Sequence, residues 1–323
     1  MSRTSLRLIT AAAGAAAAGA ARLGYAAVNR RPPGGPKAWS RTNHRGEPVT
    51  LLEGPAVAAG AIAGVLAQAG LASLAGTPGW RRTAAMIAGG AGAAAFGAYD
   101  DLAGSGDRRG FRGHLGALRH GQVTTGAVKL GGIGATGLAS AVLAGGSPAD
   151  VVLNAGLVAG SANLLNLFDL RPGRAIKVAV ASGALIGAAG RGGAAGRGGV
   201  AAPLGAAIAL LPEDLAERAM LGDAGANALG AMLGAAAAGL PRKGRITLVV
   251  AIIGITAASE KVSFTKVIAR TPALNWLDML GRRPAQPTPP ATIPPRHRGT
   301  TDLSEAGSAA RSAGKTDFPP PGE

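Results

Sequence analysis

Val151-Val-Leu-Asn-Ala-Gly-Leu-Val-Ala-Gly-Ser-Ala-Asn-Leu-Leu-Asn-Leu-Phe168 runs for eighteen residues without a charge and stops at Asp169-Leu-Arg171. As a helix it is about 27 Å long, close to the hydrocarbon thickness of a bilayer. A soluble helix of that length shows a charged face, and this one has none. Outward along the chain the pattern repeats, with Gly54 to Trp80, Thr83 to Tyr99 and Leu130 to Ala149 equally free of charge. Of 323 residues, 47% are apolar, 15% are charged and 53 are glycine. Glycine costs a soluble helix about 1 kcal/mol relative to alanine. Between membrane helices, the same small residues let backbones approach. The expected fold class is therefore all-α, a polytopic transmembrane helical bundle of about nine spans. The competing reading, buried core helices of a large soluble protein, is set aside on the missing charged faces.

The spans are expected near 6–28, 51–75, 83–99, 127–146, 151–168, 175–190, 199–212, 225–240 and 245–260. If odd-numbered spans end inward, the inner loops hold Arg30, Arg31, Lys37, Arg41 and Arg45, then Arg108, Arg109, Arg112 and Arg119, then Arg171, Arg174 and Lys177, and last Arg218. Those thirteen exceed the nine outer basic residues at Arg3, Arg7, Arg81, Arg82, Arg191, Arg197, Arg242, Lys243 and Arg245. The bias places the N-terminus outside, in a multi-pass protein of the cell membrane. Arg3 and Arg7 before Leu8 to Ala21 also fit a secretory signal peptide, but no polar mature domain follows. Gly190 to Gly199 reads as a flexible outer loop. From Arg282 onward Pro, Ser, Thr and Gly dominate, so the chain divides into a membrane domain at 1–281 and a disordered cytoplasmic tail at 282–323.

The net charge of +16 would suggest nucleic acid in a soluble protein. With only 3% aromatic residues, stacking platforms are nearly absent, so no nucleic acid is expected as partner. The charge suits anionic lipid and phosphorylated substrates instead. Without cysteine there is no disulfide or thiol chemistry.

Four of the seventeen acidic residues, Asp100, Asp101, Asp169 and Asp223, fall where expected helices meet the cytoplasm. Carboxylates at a membrane edge are costly unless paired or functional. Gly97-Ala-Tyr-Asp-Asp101 ends the third span and leads to Arg108-Arg-Gly-Phe-Arg-Gly-His114. Asn163-Leu-Leu-Asn-Leu-Phe-Asp169 ends the fifth, and its three-residue spacing keeps Asn163, Asn166 and Asp169 near one helical face. Leu221-Gly-Asp-Ala-Gly-Ala-Asn227 is expected to be a tight turn opening the eighth span, with Asp223 able to cap it.

In order, spacing and placement, these motifs resemble the polyprenyl-phosphate N-acetylhexosamine-1-phosphate transferase family, glycosyltransferase family 4, over roughly residues 25–265. The family includes the phospho-N-acetylmuramoyl-pentapeptide translocase of peptidoglycan synthesis. The resemblance implies transfer of a sugar 1-phosphate from a UDP-sugar to a polyprenyl phosphate, with release of UMP and use of Mg²⁺. It matches Asp100 and Asp101 to the family's paired aspartates, Asn166 and Asp169 to its Asn-x-x-Asp segment, and Asp223 to its Gly-Asp-x-Gly motif. Asp100, Asp101 and Asp169 are then the expected catalytic residues, and together with Asp223 the expected metal ligands. Transfer between phosphates concentrates negative charge, which a hard cation held by carboxylates neutralises and basic side chains position. Arg108, Arg109, Arg112 and Lys129 are candidates for the diphosphate, and Asn163 and Asn166 for substrate contact. The expected partners are the membrane, polyprenyl phosphate and a UDP-sugar, with a homodimer left open.

The chain also departs from the family. Glu260 to Asp278, where the family carries a histidine-rich motif and a later span, has no histidine. No lysine follows the paired aspartates between Leu102 and Ser105, and Glu213-Asp-Leu-Ala-Glu-Arg218 replaces a segment usually carrying Asn and Pro. These losses argue against the muramoyl-pentapeptide substrate. They keep a second expectation open, a non-catalytic homologue that binds lipid intermediates or envelope-assembly partners.

Overall fold

The computed structural model describes residues 2–77, 79–103, 124–190 and 193–284, with side chains of the last range described from 199 onward. Its helices are α1 (Arg3–Arg30), α2 (Glu53–Leu74), α3 (Trp80–Ala103), α4 (Thr125–Ala144), α5 (Pro148–Phe168), α6 (Arg174–Ala189), α7 (Gly193–Leu215), α8 (Gly222–Ala237), α9 (Arg242–Ser259), α10 (Phe264–Arg270) and α11 (Pro272–Met279). The first nine fall on the nine expected segments. By length and apolarity, however, among the described residues only α1, α2, α4 and α5 are fit to cross a membrane, with a fifth if α9 and α10, bent by 95° at their break, form one span. Two of the others, α6 and α8, have 16 residues each, enough for about 24 Å. Leu66, Val152, Leu185, Val250 and Ile253 point outward and exposed, a distribution that suits lipid rather than water.

Local chemistry sets several helix ends. Thr124 accepts the Ala127 amide and so starts α4 two residues before the expected boundary. Ser147 and Asp150 form a reciprocal capping box, with Pro148 in the first turn, which draws α5 back to residue 148. The all-α expectation misses a small antiparallel hairpin, β1 (Ser40–Thr42) with β2 (Pro48–Thr50), in which Arg41 pairs with Val49. Periodicity does not reveal strands this short.

The bundle is arranged around α8. Every residue of α8 except Asp223 is buried, and most of the helix is Gly and Ala. It packs chiefly on α3 and α5, and also on α2 and α7. A Cβ on Gly230 would overlap the Ser161 backbone carbonyl of α5, and one on Gly97 would overlap the Asp223 carbonyl. Both glycines are thus required by backbone-to-backbone approach. The first helix is tied in the same way: Ala13, Ala17 and Ala21 are fully buried, and Ala17 and Ala21 meet Gly60 and Gly64 of α2.

Beyond the bend, the chain returns to the start of α6. Asp278 of α11 accepts from Arg174 Nε at 2.7 Å and Nη2 at 2.9 Å and from Arg282 at 2.8 Å. Phe264 stacks on Phe168 with ring centroids 5.6 Å apart. Arg282 and Arg283 fall in the segment expected to be a tail, yet Arg283 pairs with Glu47 and Arg282 with Asp278. The compact unit runs to Arg283, and residues 285–323 lie outside those described.

Gly230→Ala is expected to lower stability in detergent by about 1–3 kcal/mol. The same change at Gly254, which faces open space, should stay within about 1 kcal/mol. Burial alone would raise the Asp278 carboxyl, but Arg174, then Arg282 and Lys177, outweigh it and hold it below its ordinary value. Its contribution is therefore full above 3.8 and is lost as pH falls through the lower folded value. Asp278→Asn should cost about 3 kcal/mol at neutral pH, with the gap to the unaltered chain closing below about pH 4 in thermal melts.

Candidate functional site

The end of α3, the start of α4 and the start of α8 meet at one end of the bundle. Lys129 Nζ of α4 stands 2.5 Å from Asp223 Oδ2 and 3.0 Å from Asp100 Oδ2, so one ammonium joins carboxylates of two different helices. All three side chains are largely buried. Lys129 therefore holds the aspartates in this structure and does not stand free for a diphosphate.

Asp101, one residue on, faces another way. Its carboxylate accepts the backbone amides of Asp223 at 3.0 Å and Ala224 at 2.9 Å. It is thus Asp101, from a different helix, that caps α8. The expectation that Asp223 would do so is corrected: Asp223 is already the second helical residue, and its side chain is committed to Lys129. A carboxylate at this position also faces the positive end of the helix. Arg41 of β1 donates to the Asp101 carbonyl, so the hairpin is fastened to the same corner.

Asp169 closes α5 as its C-cap and is buried beside the Gly222 amide. Gly222 has φ +58°, and a Cβ there would come within 3.0 and 3.1 Å of the two Asp101 oxygens, so glycine is demanded on both counts. Burial, with Asp214, Asp223 and Asp101 nearby, holds the Asp169 carboxyl well above the usual range, and the Gly222 amide pulls the other way.

Three acidic residues besides the four expected aspartates join this corner. Glu53, in the first turn of α2, is fully buried, and neither carboxylate oxygen has a hydrogen-bond partner among the described residues. Asp214, near the end of α7, accepts the Gly173 amide at 3.0 Å through one oxygen, and the other has no partner among the described residues. Glu217 has φ +59°, rare for a side chain of this size, and is held by Asn43 at 2.8 Å and Arg45 at 2.8 Å. The acidic segment that departs from the family pattern is thereby latched to the hairpin.

Between hairpin and helices lies a cavity of about 180 Å³, lined among others by His44, Asp169, Arg171, Asp214 and Glu217. Burial lowers the His44 imidazole from its ordinary value, and Arg171, Arg282 and Arg45 add to this against the pull of Glu217. The imidazole of His44 is accordingly harder to protonate than usual, beside a buried carboxyl. A turn signal existed in Asn43-His-Arg-Gly46, with Gly46 at φ +81°, but its destination 174 residues away did not.

Asn163 and Asn166 are half-buried on the last turns of α5, with no side-chain hydrogen bond among the described residues. Arg108, Arg109, Arg112, His114 and His120 lie outside the described residues. No three His, Asp or Glu side chains stand as a ready metal-ligand group among the described residues. The donor chemistry of Asp100 and Asp223 nonetheless suits a hard cation, and the Lys129 ammonium between them marks a place where positive charge is stable. Asp101 is spent on the α8 amides, which makes it a positioning group rather than a free ligand. Neither a family model nor a curated protein matches the chain.

Asp101→Ala should cost about 1–2 kcal/mol through loss of the α8 cap. Lys129→Met should cost about 3 kcal/mol, because it strands two carboxylates in a mostly buried place. Adding Asp223→Asn to Lys129→Met should recover part of that loss in thermal melts, whereas additive losses would deny the coupling.

Proposed function

We propose that the chain is a Mg²⁺-dependent sugar-phosphate transferase of the cell membrane, with nine spans, an outside N-terminus and its acidic corner on the cytoplasmic face. It would move a sugar 1-phosphate from a UDP-sugar to a polyprenyl phosphate. The observation that carries this reading is the meeting of Asp100, Asp101, Asp169 and Asp223, from three helix ends, around Lys129 and the first amides of α8.

A lipid phosphate oxygen would form the new bond to the phosphorus next to the sugar as the bond to UMP breaks, so UMP leaves with the bonding electrons. Asp100 and Asp223 would hold Mg²⁺, which supplies neutralisation of the charge gathered by two phosphate groups. Lys129, bonded to both carboxylates in this structure, would then turn its ammonium to the substrate phosphates. Asp101 keeps the start of α8 fixed while this happens. Asn163 and Asn166 offer unspent amides for a sugar or nucleotide, and Arg108, Arg109 and Arg112 are proposed for the diphosphate. An apolar groove of about 360 Å³, lined by Leu164, Leu165, Val178, Leu233, Leu248 and Ile252, suits an isoprenoid chain.

A second reading, a non-catalytic homologue that binds lipid intermediates or envelope-assembly partners, is favoured by one feature. Lys129 itself supplies a counter-charge to both Asp100 and Asp223. Purified protein given polyprenyl phosphate, Mg²⁺ and a panel of UDP-sugars separates the two. UMP release that falls at least about 100-fold in Asp223→Asn, with the fold intact, supports the transferase. No release with any sugar favours the binding protein. For topology, single cysteines at Ser40 and Thr77, both exposed, should label from opposite sides of the membrane, and labelling of both from one side would refute the span count.

A further inference from the structure

The end of the bundle remote from Asp223 carries a second charged cavity, of about 580 Å³, lined by Trp80, Arg81, Arg82, Asp150, Asn154 and Arg245 among others. Arg82 and Asp100 are separated by eighteen residues of α3, about 27 Å along the helix, so this cavity and the acidic corner lie a membrane thickness apart. Three helices, α3, α5 and α9, begin at this end of the bundle, so the positive ends of their dipoles lie on the same side as the cavity.

The side chains add to that charge without cancelling it. Three guanidinium groups face a single carboxylate, and that carboxylate is already taken: Arg245 donates to Asp150 Oδ1 at 2.8 Å and to Asn154 Oδ1 at 3.0 Å. The Arg245 Nε is itself buried with no acceptor among the described residues. Arg81 donates to the Leu143 carbonyl at 3.3 Å and lies 5.6 Å from the Trp80 ring, in the manner of an interfacial anchor. Arg82 is half-buried and has no hydrogen-bond or ion-pair partner among the described residues. Gly239, after α8, leaves it room, since a Cβ there would overlap its guanidinium.

A half-buried cation without a counter-ion, in a polar cavity at the membrane edge, lacks an anion. We infer that this cavity is a phosphate-binding site, with Arg82 as its principal ligand and Arg81 and Arg245 as flanking donors. Guanidinium groups arriving from α3 and α9 suit an anion that accepts from several directions, which phosphate does. The same group is offered by the headgroup of an anionic phospholipid and by free phosphate. The inference does not depend on the acidic corner or on any transfer reaction.

The test uses the purified full-length chain in uncharged detergent, titrated in separate arms with phosphatidylglycerol and with inorganic phosphate, bound molecules being counted by native mass spectrometry. Arg82→Gln breaks no ion pair, so its fold should be retained. It should weaken binding about fivefold or more in the arm that supplies the natural ligand, and that arm names the source. Arg81→Gln, which loses only a bond to a carbonyl, is the second variant and should weaken the same arm. Equal binding by the unaltered chain and both variants in both arms overturns the site, as does no binding to the unaltered chain in either.

Discussion

The close approach of α8 to its neighbours governs the rest of the structure. Gly230 against Ser161 and Gly97 against Asp223 are backbone-to-backbone contacts in which one extra methyl has no room. Such contacts fix height as well as distance. With α8 held against α3 at Gly97, the carboxylate of Asp101 is level with the first free amides of α8, and Asp100 is level with Asp223. The composition that makes the chain weakly apolar for a membrane protein, rich in Gly and Ala, is the same composition that aligns its acidic helix ends.

Charge is handled differently at the two ends of the bundle. At the acidic corner, six carboxylates from five segments meet Lys129, helix amides, Arg45 and the Gly173 amide, and Glu53 is left with no partner among the described residues. At the other end, cations exceed anions and Arg82 is the side chain left over. A buried group without its complement carries a large desolvation cost, which the fold retains where a ligand relieves it. The two imbalances have opposite sign, as expected if a cation is drawn to one end and an anion to the other.

Much of the helical layout could be read from charge-free runs, because the period and length of such runs are local properties. Starts were misplaced by two or three residues where a cap decided them, as at Thr124 and Ser147. The site was legible only as parts. Asp100, Asp101, Asp169 and Asp223 stand out as charges at the ends of apolar segments. Their division of labour could not be seen, since Lys129 reaches Asp223 across 94 residues and Asp101 caps a helix that begins 121 residues later. Glu53 at a helix start and His44 in a loop carry no signal in the sequence that marks them out. Only the approach of the hairpin to the 213–218 segment gives them surroundings.

The central proposal is that Asp100 and Asp223 hold a divalent cation in competition with the Lys129 ammonium. Electron paramagnetic resonance of Mn²⁺, added as a stand-in for Mg²⁺ to the purified protein, tests it without reference to any substrate. The account predicts one Mn²⁺ held per chain, displaced by Mg²⁺, lost in Asp223→Asn and bound more tightly in Lys129→Met, where the competing ammonium is gone. Binding that is absent in both the unaltered chain and Lys129→Met, or unchanged by Asp223→Asn, would contradict it.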